Sequence, residues 1–189
     1  VAKYDGSTFD SLQSGVQGSF GMVHSMQMFQ NKLYVLGSFN TTGKYSCKSI
    51  GRWNGTSWDS VNFNPNQPAF WSDVYNNELY VVGIFQKAGI LSASNIAKWD
   101  GNSWCALNNQ FDSEITSVAF YHDSVFVGGN FRKIDNDSIR YFAKSAISDF
   151  DTCEFNIGIS ENELTSLKVY PVPATEKLFI ELSKLNIQS

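Results

Sequence analysis

An all-β fold built from β-propeller blades, each of four antiparallel strands in a repeat of about 46 residues, is predicted by three observations. An aromatic-rich, strand-like segment occurs three times: NKLYVLGSF from Asn31, NELYVVGIF from Asn77 and DSVFVGGNF from Asp123, with starts 46 residues apart. Turn signals cut each unit into four short β-branched and aromatic pieces. No stretch holds a 3.6-residue apolar period for three turns, which argues against a helical array of the same period.

The best-defined unit runs from Ile50 to Phe85 and reads IGRWNG, TSWDSV, AFWSDVY and ELYVVGIF. Between Trp53 and Trp58, Asn54-Gly55 supplies the positive backbone dihedral that a tight hairpin needs. Asp100-Gly101 repeats the device between Trp99 and Trp104, and Asp5-Gly6 between Tyr4 and Phe9. A second hairpin is expected at the polar pairs Gln30-Asn31, Asn76-Asn77 and His122-Asp123. The strand after each pair is apolar on both faces, with Val35, Val81 and Val127 on one side and Tyr34, Tyr80 and Phe126 on the other, so it is expected to be buried on both faces. Gly37, Gly83 and Gly129 follow that strand and are read as architectural, admitting a bend or a close backbone approach.

The third unit departs from the pattern. After Phe131 the sequence IRYFAKSAISDF lacks the Trp-Asp-Gly turn, and a strand over residues 139–143 is expected to close the series. Residues 149–163 are polar and read as a connector. Two short alternating strands split by Pro171 and Pro173 follow from Leu164, where the prolines exclude a central-strand position. The predicted organisation is therefore a repeat domain over 1–148, a linker over 149–163 and a distinct tail over 164–189. Three blades do not close a ring, since propellers use at least about four, and VAKYDG at the start reads as the middle of a repeat. Further blades are expected upstream.

Composition narrows the function classes. A net charge of −4, from 14 Lys+Arg against 18 Asp+Glu with the signs interspersed, lacks the footprint of a nucleic-acid binder. No apolar run reaches the roughly 18–20 residues of a membrane-spanning helix, and no signal peptide is visible. Cys47, Cys105 and Cys153 lack metal or thiol-exchange spacing. Cys105 and Cys153 lie about one repeat apart, leaving two readings: a bridge between adjacent blades, or isolated small apolar side chains, the latter favoured.

Candidate chemistry is sparse. His24 and His122 have no ligand-spaced partners and read as loop residues, so no metal or cofactor is expected. Asp135, Asn136 and Asp137 resemble the start of a calcium loop, but Arg140 and Ala146 stand where an EF-hand needs Gly and Glu. Ser25, Ser72 and Ser117 lack a nucleophile elbow. Asp149 and Asp151 lack the apolar surroundings that raise a carboxyl pKa. Repetition also argues against catalysis, which needs one asymmetric constellation.

Trp53, Trp58, Trp99 and Trp104 recur at matched positions and read as packing between blades. Trp71, whose counterparts are Ser25 and Ser117, is the preferred binding residue, with Tyr45 and Tyr75 as further candidates for a protein or glycan ligand. Asp-Ser-apolar triplets such as Asp59-Ser60-Val61 resemble the O-glycosylation signal of exported Bacteroidota proteins.

LTSLKVYPVPATEKLFIEL resembles the opening of the C-terminal sorting domain of the bacterial type IX secretion system, found in Bacteroidota. Val169, Tyr170, Pro171, Pro173, Ala174, Lys177, Leu178 and Ile180 carry the resemblance, with Val172 where that family usually has Asn. The units resemble secreted, kelch-like bacterial propellers whose blades read Ile-Ala-Lys-Trp-Asp-Gly-x-x-Trp, here Ile96 to Trp104, and Leu-Tyr-Val-x-Gly-x-Phe, here Leu79 to Phe85. Together these resemblances imply a secreted or outer-surface, non-enzymatic binding or scaffold propeller that engages the secretion machinery through its tail. The alternative is the propeller part of a polysaccharide-acting enzyme or lectin whose active residues lie upstream.

Overall fold

The computed structural model describes residues 1–18, 20–107, 109–147, 152–153, 167–170 and 179–182. The chain divides into two compact units, Val1–Glu154 and Phe155–Ser189. In chain order the first unit carries β1 (Ala2–Tyr4), β2 (Phe9–Ser11), β3 (Val16–Gln17), β4 (Met22–Phe29), β5 (Lys32–Ser38), β6 (Thr41–Thr42), β7 (Tyr45–Ser46), β8 (Ile50–Trp53) and β9 (Trp58–Asp59). It continues through β10 (Ala69–Tyr75), β11 (Glu78–Gly83), β12 (Lys87–Ala88), β13 (Leu91–Ser92), β14 (Ile96–Trp99), β15 (Trp104–Ala106), β16 (Ile115–Tyr121), β17 (Ser124–Gly129), β18 (Phe142–Ala146) and β19 (Thr152–Cys153). The second unit holds the antiparallel hairpin of β20 (Leu167–Tyr170) and β21 (Phe179–Leu182), in which Val169 is opposite Ile180 and Tyr170 opposite Phe179.

The fold is all-β and antiparallel. Three main sheets follow one another along the chain: β4-β5-β8-β9, β10-β11-β14-β15-β19 and β16-β17-β18. No sheet among the described residues closes on itself. Each sheet starts with a hairpin of two long strands and continues into the shorter strands that come after it in sequence. The unit written from Ile50 to Phe85 therefore joins the last two strands of one sheet to the first two of the next. Small hairpins, β6–β7 and β12–β13, link the second and third strands and have no counterpart in the sequence reading. Too short to show an alternating pattern, they carry no periodic signal. The strand expected over 139–143 forms over Phe142–Ala146.

Turn chemistry repeats with the period. Gln30-Asn31, Asn76-Asn77 and His122-Asp123 all adopt positive φ at both positions, between 43° and 59°, the conformation of a two-residue turn matched to strand twist. The other hairpin is longer than a two-residue turn. Trp53 is opposite Trp58, leaving a four-residue loop in which Gly55 has φ 105°. Asn54 Oδ1 accepts the backbone N–H of Thr56 (3.0 Å) and Ser57 (2.9 Å). Asp100 does the same for Asn102 and Ser103, and Asp5 for Ser7 and Thr8. The side chain at the first loop position thus satisfies two donors that the turn leaves over.

Every first strand bulges at one place: between Val23 and Ser25, between Ala69 and Trp71, and between Ile115 and Ser117. Gly37, Gly83 and Gly129 sit opposite. A Cβ on them would collide with the carbonyl oxygens of Met22, Pro68 and Glu114, so glycine is required by the close approach of the bulged backbone.

The sheets pack face on face. Leu79 and Val81 of β11 join Phe29, Tyr34, Leu36 and Ile50 of the first sheet in one core, together with Trp99 and Trp104. Tyr80 and Val82, on the opposite face of β11, join Val118, Val125, Val127 and Phe131 in the next core. The central strands β5 and β11 are covered on both sides, as their two-faced apolarity predicts. In β17 only one face is closed, because Phe126 on the other is half-exposed. At the opposite end of the stack Met22, Met26 and Met28 are 52%, 57% and 60% exposed.

Candidate functional site

The three aromatics singled out for binding lie in different settings. Trp71 is 46% exposed on β10, directly after the bulge, in the slot held by Ser25 and Ser117 in the other sheets. Tyr45, 40% exposed on β7, has the ammonium of Lys44 5.4 Å from its ring centre. Tyr75 is half-buried and stacks on Phe120 at 4.8 Å with planes 12° apart. That contact ties the second sheet to the third. No ring contact among the described residues joins Trp71, Tyr45 and Tyr75, so they form no common platform.

The four repeat-matched tryptophans turn inward. Trp58, Trp99 and Trp104 are buried and Trp53 half-buried, with Trp53–Trp58 centred 5.4 Å apart and Trp99–Trp104 5.0 Å apart. Each outer-strand indole is also tethered backwards: Trp58 Nε1 donates to the Leu12 carbonyl at 2.8 Å, and Trp104 Nε1 to that of Val61 at 2.9 Å. These contacts bury large aromatic area and satisfy the one polar atom of each indole.

In the third repeat the equivalent space is a cleft of ≈ 550 Å³, within the roughly 300–1,000 Å³ range of small-ligand and side-chain pockets. Its walls include Val125, Val127, Ile134, Ile139 and Ala143. These stand 46 residues after Leu79, Val81, Ala88, Ala93 and Ala97, which share a core with Trp99 and Trp104. Ser145 replaces Trp99 and lines the cleft. The position one period after Trp104 is Phe150, which lies outside the described residues.

The chain beyond β18 does not add to the third sheet at 152–153. There β19 pairs with β15 of the second sheet, with Cys153 opposite Cys105 and the two joined as a disulfide. Of the two readings of these cysteines the bridge is the one formed, across adjacent strands of one sheet. Cys47 is free and buried, 3.0 Å from Thr42 Oγ1.

The rim of the cleft is polar. Asp135 Oδ2 accepts from Asn109 Nδ2 at 2.6 Å and its Oδ1 from the Gln110 N–H at 2.8 Å. These bonds hold its carboxyl below the usual range and commit it to bracing the loop. Comparison with protein-family models, with curated proteins and with solved structures finds no match. The site is therefore read from its own geometry.

The remaining sequence candidates are placed as follows. His24 Nε2 lies 3.0 Å from Ser38 Oγ and its ring packs edge-on against Phe70, while His122 sits in its turn against Tyr121. Ser25 and Ser72 are buried and hydrogen-bonded to each other at 3.2 Å. Among the described residues no group of three His, Cys, Asp or Glu side chains could hold a metal ion. Asp149, Asp151, Pro171, Pro173, Ala174, Lys177 and Leu178 lie outside the described residues. The cleft itself escaped the sequence reading, although the loss of Trp at Ser145 is its signal.

Proposed function

We propose that the chain is part of an extracellular β-propeller that acts as a non-enzymatic binding or scaffold module and is exported as a type IX secretion cargo through its C-terminal tail. The observation that carries the reading is the succession of antiparallel sheets that repeat one turn chemistry and pack face on face. Apolar side chains left open at both ends of the stack, Met22, Met26 and Met28 at one and Phe126 and Phe142 at the other, suit coverage by further sheets of the same kind.

The Cys105–Cys153 disulfide supports an oxidising destination, since such bridges persist outside the cytosol. No helix among the described residues is long and apolar enough to cross a membrane. For the tail, the support is the motif from Val169 to Ile180 together with the pairing of its two flanking strands. Strand edges of that kind suit capture by pairing with a receptor. Trp71, held on a rigid strand and half-open to solvent, is the binding residue that this reading favours on the repeats, with a protein or glycan as ligand.

Truncation after Phe155 tests the export claim. The shortened chain is expected to accumulate inside the cell while the complete protein reaches the surface or the medium. Unchanged secretion of the truncated form would refute it.

A further inference from the structure

We propose that the mouth of the seam between the first and second sheets binds a single hexuronic acid ring, as the terminal sugar of an acidic glycan. The carboxylate meets the Lys48 ammonium, one face of the ring rests on Phe20, and the hydroxyls meet the amides of Asn40 and Gln67. This deepens the reading of the chain as a binding module, and rests on it.

The seam between the second and third sheets shows how the same place is closed one period later. There Ser94 Oγ accepts the Phe111 N–H at 2.7 Å, and Asn95 Nδ2 donates to the Ser113 carbonyl at 2.7 Å. Both bonds run between the loop before β14 and the segment that enters β16. Going back 46 residues, Ser94 and Asn95 become Lys48 and Ser49, while Phe111 and Ser113 become Pro65 and Gln67. Proline has no N–H, so the first bond has lost its donor. The Ser49 side chain is shorter than the Asn95 amide, and among the described residues it makes no bond to Gln67. With both bonds gone, a pocket of ≈ 260 Å³ opens between the sheets, lined by Lys48, Ser49, Pro65 and Gln67 together with Phe20 and Asn40.

The chemistry of that lining specifies the ligand. Asn66 and Gln86 are committed to each other: Asn66 Oδ1 accepts the Gln86 N–H at 2.9 Å and its Nδ2 donates to Gln86 Oε1 at 2.9 Å. One period earlier the same two positions hold Phe20 and Asn40. Phe20 offers no polar atom, and its ring is 79% exposed. Asn40, Lys48 and Gln67 are exposed, and among the described residues none of their side chains has a hydrogen bond or an ion pair. One small pocket therefore gathers a cation, two uncommitted amides and an open aromatic face. A sugar ring presents C–H groups to such a face and hydroxyls to such amides, whereas an apolar peptide side chain gains little from so polar a lining. The ammonium adds a preference for a carboxylate. The volume is below the roughly 300–1,000 Å³ of pockets for drug-sized ligands, which suits one ring with the rest of the glycan outside.

The test titrates glucuronate and galacturonate separately into the full chain and follows the side-chain amide signals of Asn40 and Gln67 by NMR. At least one of the two is expected to shift both amides saturably, with a dissociation constant of about 1–10 mM. The matching neutral sugar, glucose or galactose, should bind about 2–5-fold more weakly, and Lys48→Gln should abolish that difference, since the ammonium is solvent-exposed. Phe20→Ala should weaken the uronate and the neutral sugar alike, by about 2–10-fold. Ser49→Asn places an amide where Asn95 makes its bond and suits the positive φ of 65° at this position. It should abolish the shifts while holding or raising the melting temperature. No saturable shift with either uronate at about 50 mM would overturn the proposal. So would equal binding of acetate, or of a capped aspartate, which would assign the pocket to an acidic peptide. Undiminished binding by Ser49→Asn would overturn it as well. Each of these outcomes leaves secretion unaffected, so failure here is distinguishable from failure of the export claim.

Discussion

Tyr141 shows how much a single backbone position carries. In each repeat the residue before the third strand adopts positive φ: Ser49 at 65°, Asn95 at 67° and Tyr141 at 67°. Its N–H donates to the carbonyl of the aromatic that follows the repeat glycine, Phe39, Phe85 or Phe131. A side chain with a Cβ is disfavoured there by about 1 kcal/mol, and Asn least so. Tyr141 is exposed and has little burial to lose, so Tyr141→Asn is expected to stabilise the chain by up to about 1 kcal/mol in urea unfolding. Asp112 is held below its ordinary 3.8 by the N–H of Arg132 and then that of Lys133. A depressed carboxyl stabilises the fold above its unfolded value and loses that contribution as pH falls through the folded one. The melting temperature should accordingly hold steady above about pH 5 with respect to this group and fall on acidification, and Asp112→Asn should make the acid limb shallower.

At the scale of elements, the long strands were legible because alternation and turn residues agree in them. β4–β5, β10–β11 and β16–β17 lie where the repeated segments and their polar turn pairs predict. The small β6–β7 and β12–β13 hairpins were not, since two-residue strands show no period. The cysteine pairing was open for another reason: strand order in space, not sequence spacing, brings Cys153 opposite Cys105. The candidate cleft was half-legible, as Ser145 at a tryptophan position marks a missing ring but not whether neighbours close over it. The bridge closes a segment 48 residues apart in sequence, and removing it with Cys105→Ser is expected to cost about 2–4 kcal/mol. Alkylation of the denatured, unreduced chain should modify one thiol, Cys47, and after reduction all three.

For the molecule as a whole, the central claim is that the repeated sheets belong to a ring. Burial supports it unevenly: both faces of the second sheet are covered, while the outward faces of the first and third carry exposed Met22, Met26, Met28 and Phe142. Apolar patches of that kind are ordinarily covered. Under the proposed reading, binding determinants are expected where the period fails, at Trp71 and in the tail from Leu164. The most direct test is an experimental structure of the product of the complete reading frame. The account expects a closed ring of at least about four blades, with another sheet over Met22, Met26 and Met28. A folded protein in which those methionines face solvent and the three sheets stand as an open stack would contradict it.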